Sequence, residues 1–175
     1  MIPFARQLVC FALLLLSPAL GAQQRHDPLN SNEIDQLRDA AQDPDQRLKL
    51  FLQFARARLD AIEKVRADPK VTDRAQQTHD RLQDFLDVYD ELNDNLDTFV
   101  QRKADLRHAL KGVIDADTEF QAKLRALKTS VESSKEETTK YDFVLNNALD
   151  AVDGSAQDHR QLLAEQEEAA KRKKK

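Results

Sequence analysis

The chain has 175 residues, 33% of them charged, with 31 acidic against 27 basic side chains and a formal net charge of −4. That length suits one domain, and an acidic body works against nucleic acid as the main partner, because phosphate recognition needs a basic face. With one cysteine and three glycines in the whole chain, there is little material for thiol chemistry or for glycine-rich loops that cradle phosphates.

Residues 1–22 read as a cleaved export signal. Arg6 supplies the positive n-region, Leu8 to Leu16 the apolar h-region, and Ser17, Pro18, Ala19, Gly21 and Ala22 the small-residue cleavage region. Nine apolar residues are too short to span a bilayer, which takes about 20. Cys10 lies inside this segment, so the chain that remains has no cysteine and no route to a disulfide or a thiolate-bound metal. An exported chain held by its core alone points to a bacterial envelope, with a periplasmic or secreted location.

The remainder is written in helix code, with the domain expected over residues 23–170. Gln23 to Pro28 is a lead-in. Asn30 and Glu33 have capping-box spacing, and Leu29 and Ile34 sit where a hydrophobic staple would put them, so a short helix is expected through about Gln42. Asp43-Pro44 restarts the chain as N-cap and first helical residue. The next helix runs to about Arg66 on a seam of Leu48, Leu52, Ala55, Leu59 and Ile62, widened by Phe51 and Phe54. The same device at Asp68-Pro69 predicts a turn of a few residues and an antiparallel neighbour.

No proline follows Pro69. Val71, Ala75, Thr78, Leu82, Phe85, Tyr89, Leu92, Leu96 and Phe99 alternate 4 and 3 apart, a heptad pattern. The phase continues through Lys103, Leu106, Leu110, Val113, Asp117, Phe120, Leu124, Leu127 and Val131. The pattern predicts either one long helix over 71–131 or two helices breaking near Gly112. Thr129 to Thr139 reads as a turn, with capping boxes offered by Ser133 and Glu136 or by Ser134 and Glu137. The last helix carries Tyr141, Leu145, Leu149, Val152, Ala156, His159, Leu163, Gln166 and Ala170, is interrupted at Gly154, and is expected to fray into a disordered basic tail over residues 171–175. The fold class is therefore all-α: an elongated antiparallel bundle or set of coiled-coil hairpins behind a signal peptide.

Catalytic and cofactor motifs are absent from the sequence. It has no GxSxG, GxxxxGK[ST], GxGxxG or HExxH, and Asp105 with His108 forms only a lone DxxH. His79 and His108 read as exposed and His159 as partly packed. Asp115, Asp117 and Glu119 resemble the first ligands of an EF-hand, but Phe120 stands where that loop needs glycine. The expectation is no catalytic residue, no cofactor and no metal. The most unusual stretch is acidic: Asp80, Asp84, Asp87, Glu91 and Asp94 fall on one helical face opposite the seam, where like charges repel, and are the candidate partner surface. The function expected is a non-enzymatic exported scaffold or interaction protein, chaperone-like in plan, with an unidentified protein partner or self-association. The alternative is a helical-bundle binding module for a small ligand or metal ion. Lys171 to Lys175 add a basic end able to touch anionic lipid or polymer.

Overall fold

The computed structural model of the protein describes residues 27–131 and 139–173. The export signal and both capping boxes expected in the 129–139 turn lie outside the described residues. All regular structure among the described residues is helical: α1 Ser31–Asp39, α2 Pro44–Ala67, α3 Arg74–Gln101, α4 Arg107–Val131 and α5 Asp142–Lys173. None of these helices is long and apolar enough to cross a membrane.

The helix starts follow local chemistry. Asn30 accepts a hydrogen bond from the Glu33 N–H at 3.0 Å while Glu33 accepts from the Asn30 N–H at 2.9 Å, completing the capping box. Asp43 caps α2 through the Gln46 N–H at 3.1 Å, with Pro44 in the first turn. Asp68-Pro69 behaves differently from its twin. Asp68 ends α2 rather than opening α3, and its carboxylate accepts from the Lys70 N–H at 2.9 Å. Residues 68–73 form the turn, and α3 begins after Asp73 with no side-chain cap.

Four helices build the bundle, and α1 lies against α2. α2 packs on α3 and on α4; α5 packs on α4 and on α3. Going round the bundle the order is therefore α2, α3, α5, α4, and the consecutive helices α3 and α4 face each other across the core. Neighbouring pairs fix the directions. Arg47 reaches Asn95 (2.6 Å) from the start of α2 to the end of α3, an antiparallel pair. Arg56 with Glu119 (2.8 Å) and Lys123 with Asp60 (2.7 Å) show α2 and α4 running parallel. Asn93 with Ser155 (3.1 Å) makes α3 and α5 parallel too, and Arg125 with Asp153 (2.9 Å) joins α4 to α5 antiparallel.

The expected seams form the core. Leu48, Leu52, Ala55, Leu59 and Ile62 of α2 are buried, as are Leu82, Phe85, Tyr89, Leu92, Leu96 and Phe99 of α3. Leu106, Leu110, Val113, Phe120 and Leu124 complete the set from the α4 side, and Tyr141, just before α5, with Leu145, Leu149 and Val152 of α5 from the other. At its centre Phe120 meets Phe85 edge-on at 5.4 Å and Tyr89 edge-on at 6.1 Å, while Phe85 stacks on Tyr89 at 5.8 Å. Such edge and offset contacts suit aromatic quadrupoles.

The heptad phase through 71–131 is interrupted, but not near Gly112. α3 ends at Gln101, and Lys103 takes a left-handed conformation with φ 58°. The Ala104 N–H donates to the Phe99 carbonyl (3.0 Å) and the Lys103 N–H to the Val100 carbonyl (2.9 Å), the paired bonds of a Schellman end. The energetics explain the choice. Keeping Lys103 in the seam would bury an ammonium, at several kcal/mol without a partner. Turning there costs about 1–2 kcal/mol for a non-glycine residue in the left-handed region. Gly112 sits in the interior of α4, where a helical glycine costs about 1 kcal/mol relative to alanine. The buried neighbours Leu110 and Val113 outweigh that at roughly 1.5–3 kcal/mol each. Gly154 is likewise inside α5 without a break. α5 stays helical through Lys173, so Lys171, Arg172 and Lys173 belong to its last turn and not to a disordered tail.

Candidate functional site

Two polar seam positions, Asp117 of α4 and His159 of α5, meet in the core. Asp117 is fully buried and His159 is 4% exposed. Tyr89 donates its hydroxyl to Asp117 Oδ1 at 2.8 Å, and His159 Nδ1 lies 2.8 Å from Asp117 Oδ2. His159 Nε2 lies 3.1 Å from Asn93 Oδ1, and the Asn93 amide donates to Ser155 Oγ at 3.1 Å. The network therefore runs from α4 through α5 to α3. Burial, with the Asp117 carboxylate next in weight, pushes the Tyr89 hydroxyl above its ordinary pKa and keeps it a donor. A buried carboxylate left unpaired would be strongly destabilising; here each of its oxygens has a partner.

The outer end of this network opens into a groove of about 350 Å³ between α3 and α5. Asn93, Leu96, Asp97 and Val100 form its α3 wall, and Ser155, Asp158, His159 and Leu162 its α5 wall. Neither Asp97 nor Asp158 makes a hydrogen bond or ion pair among the described residues. A second groove of about 490 Å³ runs between α2 and α4, lined by Leu59, Ile62, Leu124 and Leu127 and crossed at its rim by the Lys123–Glu63 pair at 3.0 Å.

The five acidic residues singled out on α3 do not share one environment. Asp80, Glu91 and Asp94 are exposed, and Asp87 is half-buried. Asp84 is buried and pairs with Arg81 at 3.1 Å. A heptad drawn on α3 alone does not anticipate the charged neighbour that α2 brings to this position. Arg58 of α2 holds Glu33 of α1 through two hydrogen bonds of 2.7 and 2.6 Å. Its guanidinium also attracts Asp84, and the hydrogen bond to Glu33, more than this attraction, raises the Arg58 pKa. Burial works to raise the Glu33 pKa, but the hydrogen bonds from Arg58 and Asn30 outweigh it and leave the carboxyl below its ordinary value. Asp90, absent from the candidate set, belongs to the same exposed region. Its carboxyl is pushed up, first by burial and then by Asp87, Asp94 and Glu91.

The remaining candidates are dispersed. Asp105 pairs with Arg107, whose hydrogen bonds pull its pKa down to about 2. His108 is 3.2 Å from Asp45 instead, so the DxxH pair does not converge. His79 lies beside Asp80 at 3.2 Å. Asp115 and Glu119 lie on the same continuous helix as Asp117, with no loop to wrap an ion, and no group of three metal-ligating side chains converges among the described residues. The Tyr89–Asp117–His159–Asn93 network is what sequence reasoning missed. Its only trace was two polar residues in apolar heptad positions, 42 residues apart.

No family model, curated protein or solved structure matches the chain.

Proposed function

We propose that the protein is a non-enzymatic interaction or scaffold protein, exported to a bacterial envelope, that docks a basic protein partner on the acidic side of α3. The observation that carries this reading is the run of exposed carboxylates Asp90, Glu91 and Asp94, none of which has a salt bridge of its own among the described residues. Asp87 and Asp80 extend it toward the start of α3. Mutual repulsion there works against the helix by a few tenths of a kcal/mol per pair, and a basic partner would relieve it. A second copy of the chain is a poorer fit face to face, since it brings the same sign of charge. Export rests on the signal-like residues 1–22, and a chaperone-like holding role is compatible with the same surface.

The test is capture of envelope proteins on the immobilised protein, followed by identification of what is held. Replacing Asp80, Asp87, Glu91 and Asp94 with Asn or Gln should abolish capture while circular dichroism stays helical. Capture should also weaken steeply with salt, because exposed charges are screened over about 8–10 Å near physiological ionic strength. Salt-insensitive capture that survives the quadruple substitution would remove this surface from consideration.

A further inference from the structure

We propose that the groove between α3 and α5 is a binding site for a small primary ammonium ligand with a short apolar body. The argument is independent of the acidic docking surface, which uses neither Asp97 nor Asp158.

The size sets the class. At about 350 Å³ the groove is in the range of small-molecule sites, about 300–1,000 Å³, and far too small for a docked helix. Its charge sets the sign. One carboxylate stands on each wall, Asp97 on α3 and Asp158 on α5, and no lysine or arginine lines the space between them. Both carboxylates lack an ion pair among the described residues. An anion would be repelled there.

The donors and acceptors narrow the choice further. A primary ammonium carries three donors and no acceptor. The groove offers acceptors on both walls: the two carboxylates and the Ser155 hydroxyl, which already takes one hydrogen bond from Asn93 and keeps a second lone pair. A bare divalent ion would need further ligands, but both His159 nitrogens are engaged with Asp117 and Asn93. Leu96, Val100 and Leu162 give the same groove an apolar part, on which a few methylenes can lie. The network behind the groove contributes rigidity. Asn93 and His159 are tied to Asp117 and Tyr89 in the core, so the polar inner end does not have to be ordered on binding, which lowers the entropic cost of association.

The test uses the folded protein labelled with nitrogen-15 and three probes of one shape: n-hexylammonium, 1-hexanol and hexanoate. Hexylammonium should give saturable shifts confined to the amides of residues 93–100 and 155–162. The double variant Asp97→Asn/Asp158→Asn, at two exposed sites, should weaken it by at least about tenfold, equivalent to about 1.4 kcal/mol. Hexanol should bind no better than hexylammonium binds to that variant, and hexanoate not at all. The control Asp80→Asn/Asp87→Asn removes the same charge elsewhere on α3 and should change the affinity by less than about twofold, since distant exposed charges are screened. Equal binding of hexanol and hexylammonium would reduce the groove to an apolar patch. Unsaturable shifts spread along all of α3, or equal losses in the two double variants, would reduce it to bulk charge attraction. Each of these results, or no shift at all, overturns the proposal.

Discussion

Glu33 shows how one short-range motif is recruited for a long-range purpose. Its carboxylate closes the capping box of α1 and also takes both hydrogen bonds from Arg58, so α1 is bolted to α2 by the residue that starts it. Glu33→Gln keeps the shape and removes the charge. Charge-assisted bonds of this kind contribute about 1.5–3 kcal/mol, so a loss of about that size is expected at pH 7 for this largely buried pair. The folded-state pKa of Glu33 is lowered, so its stabilisation is present above the ordinary glutamate range and fades as pH falls through the folded value. Urea melts of wild type and variant should therefore converge in acid. Asp90 has the opposite sign. Its pKa is raised, so the fold is favoured while the carboxyl is protonated and loses that contribution as pH rises. Asp90→Asn should raise the urea midpoint at pH 7 and change little at pH 3.

Element boundaries divide into those written locally and those that are not. Asn30 with Glu33 and Asp43 with Pro44 announced α1 and α2 because a cap is satisfied within four residues. The seams of α2, α3 and α5 were legible for the same reason: a helix buries the positions its own period brings together. Lys103 was not legible as a stop. Left-handed turns are usually marked by glycine or asparagine, and what ends α3 is the expense of burying an ammonium in a seam that only the other helices create. The turn is also held from a distance, since Gln166 of α5 accepts from the Leu106 N–H at 2.8 Å and donates to the Ala104 carbonyl at 3.2 Å. Two substitutions separate this account from a break at Gly112. Lys103→Gly should stabilise by about 0.5–1 kcal/mol by relieving the left-handed strain. Gly112→Ala should stabilise by a similar amount, because its added methyl meets no atom within 4 Å. Differential scanning calorimetry reads both; destabilisation by Gly112→Ala would place the break where the sequence alone suggested.

At the level of the whole molecule the apolar seam carries the stability and the Asp117 network carries the alignment. Leu92→Ala removes a fully buried side chain and should cost about 2–5 kcal/mol in urea melts. Asp87→Ala, half in solvent, should be near neutral. Asp117→Ala should be severe despite removing few atoms, because it strands the Tyr89 hydroxyl and the His159 ring in the core. The candidate grooves could not be foreseen from heptads. A seam predicts which residues go inside, but the crevice between α3 and α5 depends on which helices become neighbours, and that follows from α3 and α4 lying across the core from each other.

That diagonal arrangement has a consequence for assembly. α2 with α3 and α4 with α5 are two hairpins of antiparallel neighbours, with Arg47–Asn95 and Arg125–Asp153 48 and 28 residues apart, whereas the side-by-side contacts between the hairpins join residues farther apart, 63 in Arg56–Glu119 and 62 in Asn93–Ser155. Local pairs close fastest, so the hairpins should form first and dock second. Tyr89 and Asn93 belong to the first hairpin and Asp117 and His159 to the second, so neither half contains a complete network. The chain is thus two complementary fragments joined by one short tether. Severed between Lys103 and Asp105 and co-expressed, they should recombine into a 1:1 complex. Sliding one half by a helical turn would leave those four polar groups mismatched in the dark interior, which gives the docked halves a single alignment to find.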